Sequence, residues 1–252
     1  MVKTNISLKS MFGNARAQLI GRYGTCILAS LSVIMVQIFA TLASGFGNED
    51  VTISQYLIGF VISVIIDLLM GILSFGQCFF YLKVARGRED LFVSDIFSGF
   101  KSVIDKAICV QIVFTIFSII GALPSLYINL FHVTIPAEHQ LSVVIAIYAF
   151  QILIGIVPRF WFGLSFYLLA DNPDLEVREI IGKSVKLMRN QKGRLLLIYL
   201  SLIPLFVLSF AACFVGVLWF VAFEETLMAN FYLDTIGEEG WKPFTVHFDS
   251  SI

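Results

Sequence analysis

The sequence is poor in charge. Only 14% of its 252 residues are Asp, Glu, Lys or Arg, whereas soluble domains have about 25%. Apolar residues of the set AVILMFWYC make up 58% of the chain, and these proportions exclude an ordinary soluble enzyme. The 17 basic and 18 acidic residues nearly cancel, which argues against a nucleic-acid binder, because such a protein carries a clustered basic excess.

Recognisable catalytic and metal-binding patterns are also lacking. No zincin, dinucleotide-binding or kinase motif occurs, so we expect a protein that is not an enzyme and needs no metal ion or other cofactor. Four cysteines are present without a CxxC pair, and all lie in or at the ends of apolar runs: Cys26, Cys78, Cys109 and Cys213. We predict that they are small core residues, not zinc ligands or disulfides.

Long apolar runs dominate the chain instead. A bilayer core about 30 Å thick needs roughly 20 apolar residues per helix, and six runs of this kind occur. They cover residues 25–46, 53–82, 107–131, 141–170, 195–210 and 214–233. The last two are separated near residues 211–216, because one unbroken helix there would be about 60 Å long. The predicted fold class is therefore an all-α polytopic membrane protein with six transmembrane helices.

Lys and Arg are missing from every second connection between these spans. Residues 47–52, residues 133–140 and the turn at 211–216 contain neither, while 16 of the 17 basic residues flank the other ends of the spans. Because basic loops stay in the cytoplasm, both termini are expected inside and the protein in the cytoplasmic membrane. A cleaved signal peptide is the alternative for the N-terminus, but its apolar run is longer than a signal peptide needs.

Three inside segments resemble one another. With offsets of 85 and 84 residues, apolar positions coincide at i, i+1 and i+8, the spacing of one helix face. These positions are Met11, Phe12 and Leu19; Ile96, Phe97 and Ile104; and Ile180, Ile181 and Met188. The pattern predicts a threefold parallel repeat of one amphipathic helix and two spans. The membrane domain would cover residues 1–236, with units at about 7–83, 94–170 and 172–236, followed by a cytoplasmic tail at 237–252.

Each amphipathic segment begins with a candidate cap, namely Ser7, Ser94, or Asn172 followed by Pro173. Such basic amphipathic helices are expected to lie in the inner headgroup layer and to contact anionic lipid headgroups. They would anchor the bundle. Alternatively, they would form a docking face for a membrane or cytoplasmic protein partner.

A resemblance to a known family lies in the stretch from Phe166 to Pro173, which contains the element Leu-Ala-Asp-Asn-Pro and ends with Asp171, Asn172 and Pro173. Ser184, Met188 and Lys192 follow it, and further matches are Ala85-Arg86-Gly87, Phe97-Ser98-Gly99-Phe100 and Phe231-Tyr232. The chain thereby resembles an uncharacterised family of six-helix membrane proteins, found mainly in Gram-positive bacteria. The family usually has Pro-Tyr where this chain has Ala222-Phe223. The resemblance implies a fold and a membrane location but no activity.

Four ionisable residues fall inside the predicted spans: Asp67, Arg159, Glu224 and Glu225. Charge within hydrocarbon is costly and therefore marks a functional hypothesis. An ion pair between Asp67 and Arg159 is the simplest structural explanation. Because one cation cannot neutralise three acids, at least one glutamate would be protonated, hydrated or bound to a cation. A proton or cation pathway along these acids is the functional alternative.

Two functions follow from these observations. The first is a non-enzymatic membrane component that scaffolds or assists an envelope or transport complex. The second is a small transporter or permease that uses the buried acids for proton or cation coupling. Pro124, Pro158 and Pro204 within three spans suit the second function, because kinks free backbone carbonyls. A polar cavity at the acids would favour transport, and a closed, dry bundle would favour scaffolding.

Overall fold

The computed structural model describes residues 7–43, 53–131, 136–211 and 213–237, and every regular element in these ranges is a helix. A 3-10 helix, Val93–Ser98, lies between α3 and α4. The α-helices are α1 Leu8–Leu19, α2 Tyr23–Ala43, α3 Ile53–Ala85, α4 Gly99–Ser102, α5 Ile104–Leu130, α6 Ala137–Phe162, α7 Ser165–Asp171, α8 Val177–Met188, α9 Lys192–Ala211 and α10 Cys213–Ile236.

The six long apolar runs all form helices at the predicted places. They correspond to α2, α3, α5, the pair α6 and α7, α9 and α10. In the last run, α9 ends at Ala211 and α10 begins at Cys213, and residue 212, where the predicted break falls, lies outside the described residues. Pro124, Pro158 and Pro204 lie inside α5, α6 and α9.

Within the described ranges, four segments are helical, long and apolar enough to cross a membrane: Ile53–Ala85, Ile104–Leu130, Glu138–Asp171, which joins α6 and α7, and Lys192–Ala211. A fifth span results if α1 and α2, which meet at an angle of 96°, count together. These helices are consistent with a membrane-embedded protein. α10 is not among them, and it carries Glu224, Glu225 and Asp234.

Most of the buried residues lie at one end of the bundle. We call it the basic end, because its turns and short helices carry the Lys and Arg residues of segments 7–22, 83–106 and 172–194. The buried core draws on α1, the second half of α3, α7 and most of α10. At the opposite end, apolar side chains of α2, α3, α5, α6 and α9 are largely exposed. Since α3 is about 50 Å long, it reaches from the exposed end deep into the basic end.

The second predicted amphipathic helix is wrong in detail. Instead of one helix, the segment forms the 3-10 helix and the four-residue α4, which Val103 separates from α5. The segment packs directly on the backbone of α3: a Cβ at Gly76 would lie only 1.6 Å from the carbonyl oxygen of Ile96, and one at Gly99 2.8 Å from that of Ile72. This close approach bends the segment and leaves Ile104 partly exposed.

The predicted caps have different outcomes. Ser7 caps α1 as expected, because its side chain accepts a hydrogen bond from the backbone N–H of Ser10 at 3.3 Å. Ser94 is not a cap, since the 3-10 helix already begins at Val93. Asn172 follows the end of α7, and α8 begins only at Val177, with Glu176 as its N-cap.

The threefold repeat stays a prediction. Its first positions, Met11, Ile96 and Ile180, are each fully buried. Its last positions are not equivalent, because Leu19 and Met188 are buried while Ile104 is not. The tail from residue 238, the N-terminal residues 1–6 and the connection at 47–52 lie outside the described residues, as do residues 133–135 of the connection at 133–140.

Cys26 and Cys78 are buried, as predicted, whereas Cys109 is exposed. Cys109 shares the outer face of α5 with the exposed Ile112 and Ile116, so the prediction of a core position is wrong for it. The side chain of Cys213 lies outside the described residues.

Candidate functional site

A polar cleft of about 280 Å³ lies between α3 and α5, in the loosely packed half of the bundle. On each helix the lining residues recur every three or four positions, which places them on one face. Eight polar residues line it: Gln37, Tyr56, Ser63, Asp67, Thr115, Ser118, Ser125 and Gln151. Along α3 the cleft runs from Tyr56 to Asp67, a distance of about 16 Å at the helical rise.

Asp67 is the carboxylate of this cleft. Thr115 donates its hydroxyl to Asp67 Oδ2 at 2.5 Å, and the Gln111 amide donates to Oδ1 at 3.3 Å. A carboxylate offers about four acceptor positions, so these two donors leave acceptor capacity facing the cleft. Two serines add to it: Ser63 and Ser125 donate their hydroxyls to carbonyls of their own helices, and their oxygen lone pairs remain available as acceptors.

Close helix packing ends the cleft on the basic side of Asp67. One turn further along α3, a Cβ at Gly71 would lie 2.5 Å from the Cβ of Gln111 and 3.1 Å from the carbonyl oxygen of Ala107. Only glycine permits this approach of α5. Asp67 therefore lies at the narrow end of the cleft, where α3 and α5 close.

The predicted pair of Asp67 with Arg159 is wrong. Arg159 Nη1 lies 4.0 Å from Glu224 Oε1 and donates to the hydroxyl of Tyr199 at 3.5 Å. These contacts join α6 to α10 and α9, whereas Asp67 contacts α5. The sequence could not distinguish among three acids for one cation, since the pairing depends on which helices are neighbours.

Glu225 belongs to the same region as Glu224 but contacts a different helix. The hydroxyl of Tyr167, on α7, donates to Glu225 Oε2 at 3.3 Å. Consecutive positions on a helix point about 100° apart, which explains why the two glutamates have different partners. The structure thus divides the four predicted charges into the Asp67 cleft and a second cluster, Arg159 with Glu224 and Glu225.

The family-signature loop, which consists of Asp171, Asn172 and Pro173, lies at the basic end. Arg86 and Asp171 form a salt bridge of 2.7 Å, and the hydroxyl of Tyr232 donates to Asp171 at 2.8 Å. Lys106 donates to the carbonyl of Pro173 at 2.5 Å. Asn172 donates its amide to the carbonyl of Leu168, within its own helix end. The loop therefore holds α3, α5 and α10 together.

Several residues of these clusters were not predicted from the sequence. Gln111, Thr115, Ser118 and Ser125 recur at helical spacing along an otherwise apolar run, which is a signal for a polar face. Tyr167 and Tyr199 lack such a signal, because tyrosine is common in apolar helices. Arg194 pairs with Asp234, whose side chain is 1% exposed, and the two lie 40 residues apart in the chain.

In the described ranges, no group of three His, Cys, Asp or Glu side chains could hold a metal ion. A family with the description "protein of unknown function (DUF975)" matches residues 1–238, and the chain belongs to this family. No curated protein and no solved structure matches the chain.

Proposed function

We propose that this member of the DUF975 family is a small, non-enzymatic transporter or permease that binds a proton or a small cation at Asp67. The observation that supports it is the polar cleft with an ionisable carboxylate at its narrow end. Membrane-embedded acids that face a cavity commonly mark ion or substrate pathways. Transport thereby becomes our first candidate and scaffolding the second.

The proposal includes an arrangement in the bacterial cytoplasmic membrane. Six spans, with α10 as the last, would place both termini inside together with the basic end. The amphipathic segments would contact anionic headgroups of the inner leaflet, and the three units would form a parallel repeat. The cleft would then open toward the outer side, with Asp67 at its inner limit.

The chemistry of the cleft suits a small cation. Carboxylate, hydroxyl and amide oxygens are hard ligands for cations. They can replace the hydration shell of a monovalent metal ion or a small protonated amine, and the carboxylate can also take up a proton. Its volume of about 280 Å³ is near the lower limit of ligand pockets, which favours ions and small amines over larger solutes. The coupling role falls to Asp67, and Thr115 and Gln111 position its carboxylate.

Flux measurements on the full chain in liposomes test this proposal. The probes are protons, followed with a trapped pH dye, and radiolabelled Na⁺, Rb⁺ and methylammonium under an imposed potential. We expect flux of at least one probe above that of protein-free liposomes. Asp67→Asn, which keeps the shape of the side chain, is expected to reduce this flux about tenfold or more, equivalent to about 1.4 kcal/mol.

Asp105→Asn is the matched control, because Asp105 is exposed at the start of α5 and lies outside the cleft. It is expected to leave the flux unchanged. The proposal is contradicted if no probe crosses faster than in protein-free liposomes, or if Asp67→Asn transports as well as the control.

The second candidate is a scaffold for an envelope or transport complex. It is favoured by the exposed end of α2, where five consecutive residues, 35–39, are all exposed. Apart from Gln37, which lines the cleft, the described residues of this stretch leave their apolar side chains uncovered, and a partner's transmembrane helix would cover them. Co-purification of a defined membrane complex that is lost on Phe39→Ser, with no flux in liposomes, would support this candidate over transport.

A further inference from the structure

The Asp67 cleft is larger than a single dehydrated ion requires, and part of its wall is apolar. Its volume of about 280 Å³ equals that of about nine water molecules, at about 30 Å³ each. The apolar part of the lining consists of Phe60, Val64, Ile119 and Ala122. Val64 and Phe60 lie one and two turns from Asp67 on the same face of α3. A cation with a carbon body would contact this wall, whereas a metal ion would leave it to water.

The hydroxyl groups of the cleft present acceptors, because their protons are already donated within the protein. Ser63 and Ser125 donate to backbone carbonyls of their own helices, at 2.7 and 2.8 Å. Thr115 donates to Asp67 Oδ2 at 2.5 Å. A hydroxyl that has donated its proton still has lone pairs to offer. These three side chains therefore favour a ligand that carries N–H donors and disfavour an anion.

Asp67 sets the charge of the ligand. It is the only acid among the described residues that line the cleft, so the cleft suits one positive charge. Ca²⁺ and Mg²⁺ take at least six oxygen ligands, but Thr115 and Gln111 already donate to the Asp67 carboxylate. An ammonium group has three N–H donors. The remaining acceptor positions of Asp67, together with the hydroxyl of Ser63 one turn away on α3, match these three donors.

Aromatic side chains lie toward the other end of the cleft. Tyr56 and Phe60 are one turn apart on α3, and both line the cleft. The faces of aromatic rings attract organic cations, and alkylated ammonium ions are characteristic ligands of aromatic sites. A ligand that approaches Asp67 along α3 therefore passes two rings that favour an alkylammonium ion over a hydrated metal ion.

We propose that the Asp67 cleft binds a primary alkylammonium ion, with its ammonium group at Asp67 and its carbon chain along Val64 and Phe60. This inference rests on the proposed function, because both place the cation at Asp67, and it names the substrate class. The lining also favours monoamines over diamines. A second ammonium group would meet no acid among the described lining residues, and an unpaired charge is costly to remove from water.

Equilibrium dialysis of the full chain in mild detergent, with radiolabelled n-butylammonium, tests the site without requiring transport. We expect saturable binding that unlabelled n-butylammonium displaces. Tetramethylammonium has the charge but no N–H donor, and n-butanol has the chain but no charge. Each is expected to compete about tenfold less well or worse, because charge-assisted hydrogen bonds are lost. Na⁺ and n-butyrate are expected not to compete at the same concentrations.

Two variants test the two ends of the ligand. Asp67→Asn is expected to weaken n-butylammonium binding about tenfold or more, since the charge of the acceptor is lost. Phe60→Ala is expected to weaken it about fourfold, the contribution of one buried methylene group. The same variant is expected to leave methylammonium binding unchanged, because that ligand has no chain to reach Phe60. A misfolded variant would lose both ligands.

Phe150→Ala is the matched control for Phe60→Ala, because Phe150 is an exposed ring of α6 outside the cleft. It is expected to bind both amines as the wild type does. The ammonium site is overturned if n-butylammonium does not bind saturably, or if Na⁺ displaces it as well as the unlabelled ligand does. It is also overturned if Asp67→Asn binds as the wild type does, or if Phe60→Ala changes the affinity for both amines equally.

The same measurements distinguish failure of this inference from failure of the proposed function. Flux of protons or Na⁺ in liposomes, without n-butylammonium binding, would overturn the ammonium site and leave transport supported. Saturable n-butylammonium binding that depends on Asp67, without flux of any probe, would support the ammonium site and contradict transport.

Discussion

Arg86 and Asp171 form a two-point ion pair between the end of α3 and the end of α7. Arg86 Nη1 lies 2.7 Å from Asp171 Oδ1, and Nη2 donates to Oδ2 at 3.0 Å. Tyr232, near the end of α10, donates its hydroxyl to the same Oδ2 at 2.8 Å. Three separate sequence elements of the family resemblance thus meet at one carboxylate, which identifies their common role as a junction of three helices.

The first prediction concerns this junction. Arg86→Gln is expected to lower the free energy of unfolding by about 1–2 kcal/mol, because a charge-assisted, two-point pair is lost while the side chain is partly solvated. Asp171→Asn is expected to cost more, since the hydrogen bond from Tyr232 weakens as well. Thermal unfolding in detergent measures both effects, and the double variant is expected to cost less than the sum of the two.

Arg88→Gln is the control for Arg86, because Arg88 is exposed and the hydrogen bonds recorded for it involve its backbone, whose N–H donates to the carbonyl of Lys83 and whose carbonyl accepts from Arg22. Its unfolding temperature is expected to equal that of the wild type. If Arg86→Gln and Arg88→Gln unfold at the same temperature, the pair contributes nothing to stability.

The second prediction concerns the contact of the 3-10 helix with α3. Gly76→Ala is expected to destabilise the chain by about 3 kcal/mol or more, because the new methyl group would lie 1.6 Å from the carbonyl oxygen of Ile96, and overpacking forces a backbone shift. The measurement is the unfolding temperature together with the yield of folded protein in detergent.

Gly155→Ala supplies the comparison, because Gly155 lies inside α6 with nothing within 4 Å of the added Cβ. There alanine is expected to be neutral or to stabilise the helix by up to about 1 kcal/mol. Equal behaviour of the two alanine variants would show that the 3-10 segment does not pack on α3 as described.

The helices could be predicted from the sequence because hydrocarbon thickness and hydropathy act locally. Each run of about 20 apolar residues became a helix within a few residues of its predicted ends. The cap at Ser7 could be predicted for the same reason, since its bond to Ser10 lies within one turn.

The predictions that the structure contradicts depend on contacts between residues that are distant in the chain. The 3-10 segment is bent by its contact with Gly76, and no local pattern at residues 93–102 encodes that contact. Similarly, Arg159 had three candidate acids, and only the arrangement of α6, α9 and α10 selects Glu224. The Asp67 cleft depends on which faces of α3 and α5 pack together. The sequence therefore predicted the carboxylate of Asp67, which is a charge in an apolar run, but not its partner Thr115.

The third prediction concerns the buried pair of Arg194 and Asp234. The side chain of Asp234 is 1% exposed and that of Arg194 is 14% exposed, and Arg194 Nη2 also contacts Met11 Sδ at 3.1 Å. Removing one partner strands a buried charge, so Arg194→Met is expected to cost about 3–5 kcal/mol. Adding Asp234→Leu to that variant is expected to recover part of the loss. Thermal unfolding checks this order, and a double variant less stable than Arg194→Met alone would contradict it.

The fourth prediction concerns Thr115, whose hydroxyl makes the shorter hydrogen bond to Asp67. Thr115→Val keeps the shape of the side chain but removes the donor, so the carboxylate would keep only the longer bond from Gln111. If Asp67 binds the transported cation, Thr115→Val is expected to change the concentration at which flux is half-maximal, since the carboxylate is no longer positioned. Thr115→Ser, which restores the hydroxyl, is expected to restore the wild-type value. Equal flux curves for the valine variant, the serine variant and the wild type would show that Thr115 does not position Asp67 for binding.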